Sequence, residues 1–237
     1  MRLKALILIG LATLCGAAST RAEDMSKSVR EAVEKSRLNQ PGTKPFHLKA
    51  VLAPSFERDK ESNRVGEVEI WWRSPEIWRR EVRSPEFHQV QIVNGGKIWQ
   101  KNEGEYFPEW LRNLAVELVD PVPPLDDVQQ KTKHADVRSL MGQRHAQWMT
   151  MGSDGTVSKG IGAGIALNDA DGLVFYGGDV GWGGMFHDYK DFHGRKVAMK
   201  VSAGSPEVTA KVVVLEDLAS VAQGFFDARG IAEIRSR

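Results

Sequence analysis

The chain has 237 residues but a single cysteine, Cys15, and that scarcity excludes a disulfide framework. Cys15 sits inside a short N-terminal apolar stretch, so a chain that loses this stretch keeps no thiol for nucleophilic or redox chemistry. Charge of one sign is also lacking, because 32 Lys and Arg face 31 Asp and Glu for a formal net charge of +1. A general nucleic-acid binder carries a basic stripe, which this balance does not supply. No later run approaches the roughly 18 apolar residues that a membrane-spanning helix requires. Missing too are a Gly-x-Ser-x-Gly elbow and a glycine-rich loop followed by a phosphate-binding lysine, the local signatures of serine hydrolases and of nucleotide binding.

What the N-terminus does hold is Arg2 and Lys4, an apolar run from Ala5 to Cys15, and small residues up to Ala22. This order of basic, apolar and small segments describes a secretory signal peptide with cleavage after Ala22. Leu14 stands where a lipid-modified cysteine wants a small neighbour, so Cys15 reads as part of the leader and not as a lipid anchor. Losing residues 1–22 removes Arg2, Lys4 and Arg21 and no acid, which takes the net charge from +1 to −2. The expectation is a periplasmic or secreted protein formed by residues 23–237 as one domain, since no linker or composition shift divides them.

Tryptophan is plentiful and unevenly placed. Five of the seven (Trp71, Trp72, Trp78, Trp99 and Trp110) fall within residues 71–110. There the chain alternates apolar and polar residues in short stretches, each closed by Ser74-Pro75, Ser84-Pro85 or Asn94-Gly95, which predicts an antiparallel meander with one wet face. A preceding strand is predicted from Phe46, Leu48, Ala50 and Leu52. In the Trp71-Trp72 pair one ring must point each way, and Trp72 shares its face with Val68 and Ile70. Helices are predicted over residues 26–38, with Ser28 and Glu31 as a capping box, and over residues 108–119, with Trp110, Leu111, Leu114, Ala115 and Leu118 as its stripe. Pro121, Pro123 and Pro124 then stop the second helix. Strands resume from about Asp136, with Val208, Ala210, Val212 and Val214 the clearest alternation, and the last segment from Leu218 reads as a short helix or an irregular tail. Hairpin-joined strands with two covering helices place the chain in the α+β class.

Three polar clusters invite chemistry and each fits a plainer reading. Gly160, Gly162 and Gly164 lack the third glycine of a dinucleotide loop, so a turn or loosened strand is expected. Asn168, Asp169, Asp171 and Gly172 place Leu167 and Gly178 where a calcium loop needs acidic ligands, so a β-turn is expected. His187, Asp191 and His193 match no usual zinc spacing. The sequence therefore predicts no metal, no cofactor, no nucleic-acid partner and no catalytic residue.

The helix after the leader, the strand beginning Pro45-Phe46-His47-Leu48, the Gly66-Glu67-Val68 strand, the Pro75 to Arg83 strand and the run Ile92-Val93-Asn94-Gly95-Gly96-Lys97-Ile98-Trp99 together resemble the LolA/LppX-like superfamily of envelope proteins related to outer-membrane lipoprotein carriers. That resemblance implies a strongly curved, unclosed antiparallel half-barrel whose concave face is covered by helices, with an apolar cavity between. It also implies a non-enzymatic carrier of lipids, acyl chains or lipidated proteins, with membrane proteins of the envelope as further partners. From strand alternation, the residues expected to line the cavity are Leu48, Ala50, Leu52, Val68, Ile70, Trp72, Val90, Ile92, Trp110 and Leu114. The alternative from another class is an envelope protein-interaction module whose sheet is fully packed.

Overall fold

A computed structural model describes residues 24–104, 108–148, 150–151, 157–158, 163–179, 182–204, 207–222 and 224–234. The leader with Cys15, and residues 160–162 of the glycine cluster, lie outside the described residues.

Helix α1 (Ser26–Ser36) buries Val29, Ala32 and Val33 on one face. Its N-cap is Met25, and Asp24 before it accepts the Ser26 amide proton at 2.9 Å; Ser28 lies inside the helix, so the expected capping box is not the start signal. Strand β1 (Phe46–Pro54) follows and buries Phe46, Leu48, Ala50 and Leu52 on its inner face. After one turn of 3-10 helix at Glu57–Asp59 come β2 (Gly66–Ser74), β3 (Ile77–Ser84), β4 (Phe87–Asn94) and β5 (Lys97–Glu103), the meander that the alternation predicts. Gly95 and Gly96, both with positive φ, turn β4 into β5, a conformation that costs glycine little.

Helix α2 (Glu109–Glu117) buries Leu111, Leu114 and Ala115, in line with the predicted stripe. A further helix, α3 (Leu125–Thr132), was not expected from the sequence. Pro124 is its N-cap, and it carries Asp126 and Asp127 in the first turn and Lys131 in the last, an arrangement that suits the helix dipole. The proline run thus ends one helix and starts another. The hairpin β6 (Asp136–Leu140) and β7 (Gln143–Gln147) comes next, then a small separate ladder of β8 (Thr150–Met151) with β9 (Val157–Ser158). Strand β10 (Gly164–Asn168) joins β11 (Val174–Asp179) through the Asn168 to Gly172 turn, where the Asp171 carboxylate accepts the Leu173 amide proton at 2.9 Å. Strands β12 (Trp182–Phe192), β13 (Arg195–Ala203) and β14 (Val208–Asp217) form a second meander, and β15 (Ala232–Ile234) comes last. Strand β12 was hidden in the sequence because Gly183, Gly184 and the positive-φ Asp188 break its apolar alternation.

Among the described residues thirteen strands make one antiparallel sheet in the order β15-β5-β4-β3-β2-β1-β14-β13-β12-β11-β10-β7-β6. The two meanders meet where β1 pairs with β14 along its whole length, from Phe46 opposite Asp217 to Pro54 opposite Val208. The expected strongly curved half-barrel is overturned: the sheet is open, with β15 and β6 at its edges, and it is not strongly curled. Strand alternation fixes which face is wet, whereas coiling is set by bulges, glycine kinks and the layer packed on the face. Among the described strands the register shifts in three places, at Lys49/Ala50, Trp72/Ser74 and Ala166/Leu167.

The helix layer lies over the second meander. Helix α1 packs on β13, β11 and α3, and α2 packs on β13 and β12. The helices expected to cover β2–β5 therefore sit mainly over the other half of the sheet. At the join, Phe46 stacks on Trp72 with ring centroids 5.4 Å apart and meets Phe192 edge-on at 6.4 Å.

Candidate functional site

Cross-strand register decides what faces α2 from the first meander. Val68, Ile70 and Trp72 of β2 stand opposite Val82, Arg80 and Trp78 of β3, and Arg80 and Val82 stand opposite Gln91 and Gln89 of β4. Gln91 and Gln89 in turn face Gln100 and Asn102 of β5. The inner face thus changes from apolar to polar in passing from β2 to β5.

Where this face leaves the helix layer, a cavity of about 700 Å³ opens, a size usual for small-ligand sites. Ile70, Trp72, Pro75 and Trp78 form its apolar floor, and Arg80, Gln89, Gln91 and Gln100 its polar side. Arg112, Val116 and Val119 close it from α2 and the turn that follows, with Asn39 from the loop before β1. A second cavity of about 420 Å³ lies on the other flank of α2, against Trp182, Pro123 and Pro124, and shares Arg112 and Val116 with the first.

The polar side is an ordered chain of hydrogen bonds. Arg80 Nη2 donates to Gln91 Oε1 at 2.9 Å, Gln91 Nε2 to Gln100 Oε1 at 3.2 Å, and Gln100 Nε2 to Asn102 Oδ1 at 3.1 Å. Gln89 Nε2 reaches the same Asn102 oxygen at 3.1 Å. Three buried atoms of the cavity lining have no partner among the described residues: Trp72 Nε1, Arg80 Nε and Gln89 Oε1. Burial lowers the Arg80 pKa to about 10, because a desolvated cation is disfavoured.

Helix α2 is held against the sheet partly through glycine. Glu117 Oε1 accepts the Gly183 amide proton at 2.7 Å, and a Cβ at Gly184 would come within 2.8 Å of Glu117 Oε2. Burial raises the Glu117 pKa to about 7, although the Gly183 bond works the other way. On the same sheet segment, Gly177 makes room for the Trp182 ring, which a Cβ there would meet at 2.7 Å.

Of the ten residues expected to line a cavity, Ile70 and Trp72 do so. Leu48, Ala50, Leu52, Val68 and Leu114 are fully packed in the core, and Trp110 is half-buried against it, with Arg64 over its ring at 5.8 Å. Val90 and Ile92 were assigned to the wrong face: they pair with Glu81 and Arg79 and lie on the outer side of the sheet. Strand β4 alternates Gln89, Gln91 and Val93 inward, so hydrophobicity alone misjudged it. Ile92 is nevertheless buried, because the C-terminal segment crosses that outer face. Arg79 Nη1 donates to the Phe225 carbonyl at 3.2 Å, Asn94 Nδ2 to the Phe226 carbonyl at 3.4 Å, and the Phe225 ring meets Trp71 edge-on at 5.1 Å. The sequence reading missed Arg80, Gln89, Gln91 and Gln100; their signal was a polar face on strands whose opposite residues are partly apolar.

Three of the histidines have carboxylate partners. His47 bonds Glu69 at 2.9 Å, His88 bonds Glu103 at 3.3 Å and His193 bonds Asp217 at 2.5 Å. Among the described residues no group of three or more His, Cys, Asp or Glu is placed to hold a metal ion, and no helix is long and apolar enough to cross a membrane.

No protein-family model matches the chain, and no curated protein does. Among solved structures it is similar to a LolA superfamily protein from Nitrosomonas europaea, with 9% identity and a TM-score of 0.47 over 84% of this chain and 96% of that one. It is also similar to a DUF1329 family protein from Desulfovibrio piger, with 8% identity and a TM-score of 0.47 over 89% of this chain and 100% of that one.

Proposed function

We propose that this protein is a non-enzymatic binding or carrier protein of the bacterial envelope, exported by its leader and holding lipids, acyl chains or the lipid moiety of lipidated proteins. The observation that supports this reading is the cavity of about 700 Å³ between the inner face of β2–β4 and α2. A sheet that served only as a packed scaffold would bring its apolar floor fully against the helix layer, where burial removes it from water. Instead Trp72, Trp78 and Ile70 line the cavity, and a hydrocarbon chain laid on them would gain roughly 25 cal/mol per Å² of apolar surface removed from water. The cavity also counts against the alternative of a fully packed interaction module.

Native mass spectrometry of the protein purified from cells is expected to show co-purifying acyl lipid, and a fluorescent fatty acid is expected to bind the delipidated protein. Val116→Phe, which fills space shared by both cavities, should weaken that binding by about tenfold or more while changing stability by no more than ~1–3 kcal/mol. An empty protein that also fails to bind the fatty acid would overturn the proposal.

A further inference from the structure

Arg80 is the residue that a purely apolar cavity does not explain. The other two arginines of β3, Arg79 and Arg83 on the outer face, both pair with the buried Glu81 carboxylate. Arg80, on the inner face, has no carboxylate partner among the described residues; it has the neutral Gln91 amide at 2.9 Å and the Trp78 ring, 6.0 Å from its guanidinium carbon. A guanidinium stays protonated at neutral pH, and holding one away from water without an opposite charge is costly. The hydrogen-bond chain through Gln91, Gln100 and Asn102 fixes one side of the group, and the side chain lines the cavity.

We infer that the cavity takes an amphiphile with an oxyanion headgroup, a carboxylate or a phosphate ester, held by the Arg80 guanidinium while its hydrocarbon lies along Ile70, Trp78 and Val116. This assigns the ligand class of the carrier site and so rests on that reading. Gln91 and Gln100 are positioning residues, since they orient the guanidinium from behind.

The test is calorimetry on the delipidated protein with palmitate, methyl palmitate, hexadecyl phosphate, acetate and inorganic phosphate. Palmitate and hexadecyl phosphate should bind about tenfold or more tighter than the methyl ester, as a charge-assisted bond in a desolvated site implies. Acetate and phosphate should bind at least a hundredfold more weakly than the long-chain anions. In Arg80→Met the preference for acid over ester should vanish while ester binding persists, and that persistence shows the variant is folded. Equal affinity for palmitate and its ester, or an undiminished preference in Arg80→Met, overturns the headgroup assignment and leaves the carrier reading standing. Tight binding of acetate or phosphate with no gain from the chain overturns it too, in favour of a small-anion site. If neither palmitate nor its ester binds, the carrier reading itself fails.

Discussion

Glu117 of α2 accepts the Gly183 amide proton of β12 at 2.7 Å through one carboxyl oxygen, while its other oxygen is buried with no donor among the described residues. The helix that closes both cavities is thus fastened to the sheet by a half-satisfied acid. Gly184 is what lets the carboxyl approach, and burial is what raises its pKa to about 7.

A folded-state pKa above the unfolded value near 4.5 means that the native protein keeps a proton which the unfolded chain loses. Stability should therefore fall as pH rises from about 4.5 to 7, and the loss should level off above that at about 3 kcal/mol. Glu117→Gln keeps an acceptor for Gly183 and removes the titration. Urea unfolding across pH 4 to 8 should show a flatter profile for the variant and greater stability than the parent at pH 8. An identical slope in both would rule out Glu117 as the cause.

Trp72 and Trp78 stand opposite each other in β2 and β3 but differ in burial, with Trp72 at 3% exposure against Phe46 and Trp78 half-buried on the cavity floor. Trp72→Ala should cost about 3–5 kcal/mol. Trp78→Ala should cost roughly 1–2 kcal/mol yet weaken fatty-acid binding by about tenfold. Denaturant midpoints and probe titration on the two variants separate core from site; similar stability losses would contradict the division.

The C-terminal segment is a cover for the outer face. Leu218 bonds the Pro45 carbonyl at 3.1 Å, Phe226 is buried under Arg73, and β15 pairs with β5 through Ala232, Glu233 and Ile234. Ending the chain at Asp217 should uncover Trp71 and Ile92, free the β5 edge and lower stability by about 3–6 kcal/mol, the worth of two large buried side chains. A red-shifted tryptophan emission and concentration-dependent association in light scattering are the expected readouts. An unchanged melting profile with a monomeric truncation would contradict this role.

The first meander was legible because its turns carry Ser-Pro and Asn-Gly and its strands keep strict alternation, so β1 to β5 and the inward turn of Trp72 followed from residue order. Helix α2 was legible for the same reason, since its apolar stripe needs no partner to be recognised. Strand β12 and helix α3 were not: Gly183 and Gly184 look like loop until Glu117 and the sheet give them a purpose, and Pro124 looks like a stop until Leu125 finds a core to enter.

Residue order by itself determined which side chains share a face, through the two-residue period of strands and the three-to-four-residue period of helices. It could not weigh Val90 and Ile92 against Gln89 and Gln91, because both faces of β4 are covered and only register with β3 tells them apart. Tertiary structure alone decided that the helices lie over β11 to β13, that the sheet stays open and weakly curled, and that Arg80 ends beside a void with no carboxylate among the described residues. Those outcomes depend on contacts between segments far apart in the chain, such as β1 with β14 and Glu117 with Gly183, and no local pattern encodes them.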